Sequence, residues 1–343
     1  MKGFVNMKKN KFIIFLLICS ISLLGCNDST SKNKSNSIND KEVISQISDE
    51  IHSYFRNEIV DESTKDNLPF MVIVENSTAA RPQSGLSSAD IIYETSAEGG
   101  IPRFIALFQQ NQPDVIGPVR SVRPYFIDIA EDYNIPFAHC GGSEEALNEI
   151  QTTSSLMSIN EISNSNYFWR SSDRVAPHNL YTSSTNLLKY ISDNSLNTDF
   201  NVPIEFDDNF FNSTNCKSLS KIYIQVNSTY NTSYEFKDNQ FIKYMDNIEA
   251  IDENNNKPLS FTNIIIQKTN IDLSSDNNHL NINLIGSGEG YICSNGLYTP
   301  VTWKRSSTDS KTHFYDENNN EVPLSSGKTI WNIIDNSSKI SIE

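Results

Sequence analysis

Arginine is concentrated in one stretch of this chain, between Arg81 and His178. Lysine outnumbers arginine 19 to 8 overall, yet no lysine occurs between Lys65 and Lys189. Six of the eight arginines lie in this stretch, namely Arg81, Arg103, Arg120, Arg123, Arg170 and Arg174. The planar guanidinium of arginine binds a carboxylate or phosphate through two parallel hydrogen bonds, whereas the ammonium of lysine acts as a point charge. The stretch therefore predicts a site that binds an anion by its geometry.

Two of these arginines flank a predicted helix start. Arg120, Ser121 and Arg123 precede Pro124, and proline suits the first position of a helix because its missing N–H needs no partner there. The first N–H groups of a helix and its positive dipole end attract anions. One face of this turn would present both guanidinium groups together with the helix N–H groups.

A second motif follows a predicted strand. His139 lies at the end of that strand, and Gly141, Gly142 and Ser143 lead into another helix. Strand ends are usual positions for ligand contacts in α/β layers. A loop after three aromatic residues would close over the pocket with the following side chains: Arg170, Arg174 and His178.

Internal salt bridges are the alternative interpretation of the arginines. The stretch offers four carboxylates that could pair with them, namely Glu94, Glu98, Asp128 and Asp173. Such pairs are common in an acidic protein and imply no ligand. His139 and His178 can likewise be structural residues.

A catalytic interpretation finds little support in the residue pattern. Cys140 cannot pair directly with His139, because adjacent residues of a strand point to opposite faces. Ser143 could act with His178, but its flanks are not those of a Gly-x-Ser-x-Gly elbow. Glu94 or Glu98 could form an acid–base pair with a second carboxylate, Asp128, which the sequence cannot place in space.

No cofactor or metal is expected. The chain has no Walker or dinucleotide-binding fingerprint, and its five histidines are scattered without metal-ligand spacing. Cys140, Cys216 and Cys293 are too few for a disulfide framework. Whether any two of them pair is left open.

The elements that would position the first motifs alternate between strands and helices. Strands are predicted at 69–75, 89–95, 103–109 and 135–140, with helices from Pro124 to about Tyr133 and after Ser143. This pattern predicts a mixed α/β layered domain over 66–205. Nine short strands after it, with a hairpin at Asn295-Gly296, predict a smaller β-rich domain over 206–343. The expected fold class is therefore α+β.

The start of the chain predicts export and lipid attachment. Residues 1–25 carry a basic segment and an apolar run of about 13 residues, which is too short to span a bilayer of roughly 30 Å. Cys26 ends a sequence, LLGC, that is typical of a bacterial lipobox, in which the cysteine is acylated. Residues 26–42 predict a disordered polar tether. Apolar residues four apart over 43–59 predict a short helix, within a connecting segment that ends at 65.

The charge restricts the partners. The formal net charge is −15, so the overall field does not favour nucleic acid or an anionic lipid surface. Nucleic acid is therefore not an expected partner. Any bound anion must be held by a local group of cations.

Several segments resemble a known family, the YerB-like bacterial lipoproteins. In order, the chain contains RPQSGLSSADIIYE, EGGIPRFIALF, IGPVRSVRPYFIDIA, HCGGS and APHNLY, followed in the second half by NIIIQ, LIGSGEGY and TWKR. The resemblance implies a two-domain protein anchored to the membrane by a lipid on its outer, extracytoplasmic face. It implies no reaction, because the family's function is unknown.

Three functions are consistent with these observations. The first is a non-catalytic lipoprotein that binds an anionic ligand of the cell envelope, such as a cell-wall polymer, through an Arg/His cleft. The second is an envelope enzyme acting on a phosphate- or glycan-containing substrate. The third is a scaffold for another envelope protein, with the arginines engaged in internal ion pairs.

Overall fold

A computed structural model describes residues 50–213, 216–308 and 310–343. The predicted signal peptide, Cys26 and the tether lie outside the described residues. None of the described helices is long and apolar enough to cross a membrane.

Helices are few and short. The α-helices are α1 (Glu62–Lys65), α2 (Pro124–Tyr133), α3 (Glu144–Thr152), α4 (Ser184–Asp193) and α5 (Phe210–Ser213). Turns of 3-10 helix occur at Thr78–Ala80, Leu86–Ser88, Glu98–Gly100 and Ser165–Tyr167. Helix α2 has the bounds predicted from the sequence, with Pro124 at its first position.

Strands dominate both halves of the described chain. The first half contains β1 (Phe70–Glu75), β2 (Ile91–Ser96), β3 (Pro102–Phe108), β4 (Phe137–His139), β5 (Ser158–Asn160), β6 (Trp169–Arg170) and β7 (Leu180–Tyr181). The second half contains β8 (Lys217–Ser218), β9 (Lys221–Gln225), β10 (Asn231–Lys237), β11 (Gln240–Met245), β12 (Ile248–Glu249), β13 (Ser260–Phe261), β14 (Asn263–Thr269), β15 (Ile271–Leu273), β16 (Leu280–Ile282), β17 (Gly286–Ser294), β18 (Leu297–Arg305), β19 (His313–Tyr315), β20 (Thr329–Asp335) and β21 (Lys339–Ile342). This composition confirms the α+β class, with a β-rich second half.

One large sheet runs through both halves. Its order is β19-β18-β17-β14-β20-β2-β3-β1-β4-β5, with β8 paired to β18 at the side. Strand β20 comes from the end of the chain, yet it pairs in parallel with β2, where Ile92 lies opposite Ile330. The predicted boundary at residue 205 therefore separates two stretches of sequence that share a sheet.

Each face of this sheet buries its own apolar cluster. Alternate residues of β1 point to opposite sides, so that Val72 and Val74 join one cluster while Met71 and Ile73 join the other. The first cluster is closed by a six-stranded sheet of order β12-β11-β10-β9-β21, with β13 paired to β11. The second is covered by α2, through residues such as Phe126. The arrangement is layered, as expected for the first half.

The predicted helix over 43–59 is wrong for the part that the structure describes. Residues 51–60 form a tight turn closed by a bridge between His52 and Ile59. Asn57 has a left-handed backbone, with φ 53°, which interrupts a right-handed helix. Phe55 is nevertheless fully buried, with its ring centroid 5.7 Å from that of Tyr133, so this segment packs against the first half.

Candidate functional site

Three parallel strands end at the same edge of the large sheet. Strands β1, β4 and β5 run in parallel and end at Glu75, His139 and Asn160. The segment before α2 crosses this edge, where the backbone N–H of Cys140 donates to the carbonyl of Arg120 at 3.0 Å. The carboxyl edge of parallel strands is a frequent place for ligand binding in α/β folds.

Glu75 is the buried carboxylate of this edge. Its side chain is only 4% exposed. Its Oε1 accepts hydrogen bonds from Ser77 Oγ at 2.7 Å and from His178 Nδ1 at 2.9 Å. Its Oε2 is buried and receives no hydrogen bond from any described residue. A buried carboxylate oxygen without a hydrogen bond is costly, so it marks this position as unusual.

Arg120 lies beside that oxygen. Its Nε is 3.4 Å from Glu75 Oε2, an ion pair without hydrogen-bond geometry. Among the described residues, none accepts a hydrogen bond from the Arg120 guanidinium, although this group carries five N–H donors. The side chain is 26% exposed. Arg120 therefore has donors available to a molecule in solution.

Arg170 approaches the same place from β6. Its Nη1 donates to Asn179 Oδ1 at 3.1 Å, and its Nη2 lies 3.8 Å from Glu161 Oε1. Glu161 also accepts from the Cys140 thiol at 3.2 Å. Burial is the main cause that raises the pKa of Cys140 to about 11, and the hydrogen bond to Glu161 and the charge of Glu161 raise it further. The charges of Arg170 and Arg120 act in the opposite direction. The two arginines thus flank Cys140, whose thiol stays protonated and is a poor nucleophile.

Arg103 and Arg123 lie deeper and share one carboxylate. Arg103 Nη2 donates to Glu98 Oε2 at 2.8 Å, and Arg123 Nε bonds the other oxygen of Glu98. Arg103 Nη1 also donates to the carbonyl of Ser121 at 3.0 Å. Burial is the main cause that lowers the pKa of Arg103 to about 10, and the neighbouring charge of Arg123 acts in the same direction. These contacts fix the start of α2 against β3 and agree with the salt-bridge alternative.

Arg81 and Arg174 join loops of the two halves. Arg81 Nη1 donates to Asp246 at 2.7 Å and its Nε to Asn76 Oδ1 at 2.9 Å. Arg174 donates to two backbone carbonyls of the β1–β2 loop, at 2.5 and 2.6 Å, and to Glu253 at 3.1 Å. Most donors of both guanidinium groups are therefore engaged within the protein.

His139 lies in the interior rather than in an open cleft. It has no exposed surface, and its Nδ1 and Nε2 are bonded to the carbonyl of Gly141 at 2.8 Å and to Ser158 Oγ at 2.7 Å. Burial lowers its pKa to about 4, so the ring is neutral at pH 7. The Gly141 bond holds the chain where it leaves β4.

The residues after His139 hold the two helix starts together. Ser143 caps α3 by accepting a hydrogen bond from the N–H of Ala146 at 3.3 Å. The N–H of Val122 donates to the carbonyl of Gly141 at 3.0 Å. A Cβ on Gly142 would lie 2.7 Å from Val122 Cγ1, so glycine permits this approach. The two motifs lie close together, and their backbone groups bind each other.

Two acidic residues of this edge were not selected from the sequence. Glu75 ends an apolar strand, and Glu161 directly follows β5. A carboxylate at the end of a buried parallel strand is a recognisable signal, because its neighbours must either pair with it or bind a ligand. The selected residues that lie beside these two carboxylates are Arg120, Arg170 and His178.

A group of three carboxylates elsewhere could hold a metal ion, although the sequence suggested none. One oxygen each from Asp128, Glu131 and Glu149 lies within 4.8 Å of the others. Burial raises the pKa of Asp128, and burial together with the neighbouring acids raises the pKa of Glu149 to about 7. The group belongs to α2 and α3, whereas the edge at Glu75 is formed by β1, β4 and β5.

Comparison with known proteins identifies both halves of the chain. The N-terminal domain of a protein of unknown function (DUF3048) matches residues 56–197, and the C-terminal domain of the same description matches 221–331. "Putative lipoprotein YerB" of Bacillus subtilis (strain 168) is 29% identical over 254 residues, which cover 71% of this chain and 75% of that protein. The crystal structure of the YerB protein from Bacillus subtilis superposes with a TM-score of 0.75 at 26% identity, covering 85% of this chain and 99% of that one. These findings confirm the resemblance seen in the sequence.

Proposed function

Since this chain belongs to the DUF3048 family, we propose that it is a membrane-anchored lipoprotein that binds an anionic ligand of the cell envelope at the edge formed by β1, β4 and β5. The name of the Bacillus relative supports the anchoring, and so does the LLGC sequence ending at Cys26. Cleavage before Cys26 and its acylation would place the folded part outside the cytoplasmic membrane.

Replacing Cys26 tests the proposed lipid anchoring. Cys26→Ala should move the protein from the membrane fraction to the soluble exported fraction and abolish incorporation of a labelled palmitate analogue. Cys140→Ala provides the control, because that cysteine lies in the folded part. Persistent palmitate labelling of Cys26→Ala would overturn the proposed anchor.

The main support for the binding proposal is that the guanidinium group of Arg120 has N–H donors without a hydrogen-bond acceptor among the described residues. Their position beside an incompletely hydrogen-bonded Glu75 and a half-exposed Arg170 is unlike that of the other four arginines of the stretch. His178 adds a ring that is 29% exposed. Because the protein as a whole is acidic, such a local group is where an anion would be retained. Phosphate and carboxylate groups of cell-wall polymers have the required chemistry.

Affinity measurements with a purified anionic cell-wall glycopolymer test the proposal. Arg120→Gln and Arg170→Gln should each weaken binding by roughly tenfold or more, since a hydrogen bond to a charged group contributes about 1.5–3 kcal/mol. Lys189→Gln is the matched control, because it removes one positive charge from the exposed surface of α4. Equal affinities for all four proteins would exclude this edge as the binding site and favour the scaffold alternative.

One observation favours a second candidate, hydrolysis of a phosphate- or glycan-containing substrate. Because an ionised carboxylate can only accept, Nδ1 of His178 carries the hydrogen in its bond to Glu75. A neutral imidazole with its hydrogen on Nδ1 has Nε2 as an acceptor, which could take a proton from water as in catalytic carboxylate–histidine pairs. Arg120 would stand beside the substrate anion.

Turnover experiments separate this candidate from simple binding. An enzyme would release a product from the polymer, and His178→Gln would lower turnover by at least about a hundredfold while retaining affinity. If the wild-type protein binds the polymer and leaves it intact, the catalytic candidate is excluded and the binding proposal stands.

A further inference from the structure

A second concave site lies at the opposite end of the large sheet. It is an open cleft of about 430 Å³, lined by residues of both halves of the chain. Phe70, the first residue of β1, pairs with Phe108 at the end of β3. Asn111 of the cleft follows that end, so the cleft lies away from Glu75, which ends β1. Whatever binds here is independent of the function proposed above.

Lys328 provides the charge in this cleft. Its Nζ donates to the carbonyl of Ser87 at 3.2 Å and lies 5.9 Å from the ring centroid of Phe261. An ammonium has three donors, and Ser87 is the one hydrogen-bond acceptor that Lys328 finds among the described residues. Burial and the nearby charge of Arg56 lower its pKa to about 8, although the charges of Glu58, Asp90 and Asp252 act in the opposite direction. A half-buried cation with spare donors would gain from an anionic partner.

The rest of the lining consists of small polar groups, two apolar residues and a second lysine. Hydroxyl and amide groups come from the following residues: Ser87, Ser88, Ser260, Asn111 and Asn255. Ile242 and Pro258 add apolar surface, and Lys257 adds a second cation at the rim. Hydroxyl and amide groups match the alternating donors and acceptors of a sugar, while the apolar residues can contact its C–H groups. The volume lies within the range of about 300–1,000 Å³ that is common for small-molecule sites.

We propose that this cleft binds an acidic sugar, with the carboxylate or phosphate of the sugar held by Lys328. Both halves of the chain supply lining residues, so a bound sugar would also bridge them. Lys257 would contribute less than Lys328, because its side chain is exposed and its charge is screened by solvent.

Titration of the full chain with three pairs of probes tests the proposal. The pairs are D-glucuronate with D-glucose, N-acetylmuramate with N-acetylglucosamine, and glucose 6-phosphate with glucose. Ligand-observed NMR should show that at least one acidic sugar binds about tenfold or more tightly than its neutral counterpart. If none of the three does so, the proposal is overturned.

Variants then locate the binding. Lys328→Met should weaken binding of the preferred acidic sugar by at least about tenfold, and Asn111→Trp should do the same by filling the cleft without changing the charge. Lys339→Met on β21 is the matched control and should bind as the wild type does. Thermal unfolding of each variant shows that the fold is retained. If Asn111→Trp and Lys328→Met each bind the sugar as tightly as the wild type does, the sugar binds at another surface and the proposal is overturned.

Discussion

Lys243 and Glu94 form an ion pair in the interior, with Lys243 Nζ 2.6 Å from Glu94 Oε2. Their side chains are 0% and 3% exposed. Glu94 belongs to β2 of the large sheet and Lys243 to β11 of the six-stranded sheet, so this pair connects the two layers. Lys243 also donates to Thr232 at 2.6 Å and to Tyr234 at 3.0 Å. The buried charges are therefore well supplied with partners, as such a pair requires.

Removing one charge of this pair should be strongly destabilising. Lys243→Met leaves Glu94 buried without its cation, and we expect a loss of about 3–5 kcal/mol in the free energy of unfolding. The double variant Lys243→Met with Glu94→Leu should recover part of that loss, because no buried charge remains. Urea unfolding measures both. A double variant with the full sum of the two single losses would show that the charges do not interact.

Glu98 should matter to stability for a different reason, since it compensates two guanidinium groups at once. Glu98→Gln leaves Arg103 and Arg123 next to each other without a carboxylate, and we expect a loss of about 2–4 kcal/mol. Asp193→Asn breaks the exposed pair with Lys189 and should lower the stability much less, because solvent screens that pair. Urea unfolding measures the free energy of unfolding of both variants, and the two losses are then compared. Equal effects would mean that the Glu98 cluster is solvated like a surface pair.

The sequence predicted local elements well where one signal dominates. An apolar run between polar residues located β1, and Pro124 located the start of α2. Such features depend on residues within a few positions of each other.

Long-range pairing could not be predicted in the same way. The parallel contact of Ile92 with Ile330 places the last part of the chain in the middle of the sheet, and no local pattern specifies that register. The partner of Arg81 is Asp246, 165 positions away. Whether an arginine of the stretch is paired internally or has available donors therefore depends on tertiary contacts, which arginine composition does not specify.

The buried His139 should make stability depend on pH. Burial lowers its pKa in the folded protein from the ordinary 6.5 to about 4, so the unfolded chain takes up a proton first as the pH falls. The contribution of His139 to the free energy of unfolding is complete above about pH 6.5. As the pH falls from there to 4, up to about 3 kcal/mol of this contribution is lost. His139→Gln should be less stable at pH 7 and show a flatter pH dependence in that window. His313→Gln is the control, because this half-exposed histidine contacts Glu321 near the surface and should change the slope much less.

The Cys140 thiol should react slowly despite its partial exposure. With a pKa of about 11 instead of 9, its thiolate fraction at pH 8 is roughly a hundredfold lower, and alkylation by iodoacetamide should be slower by a similar factor than for N-acetylcysteine. Glu161 contributes to the raised pKa through its hydrogen bond and its charge. Glu161→Gln should therefore speed the alkylation of Cys140, whereas Glu145→Gln on α3 should not. Mass spectrometry of the modified peptide gives both rates. If Glu161→Gln leaves the rate unchanged, Glu161 does not control the thiol, and the electrostatic arrangement inferred between Arg120 and Arg170 is incorrect.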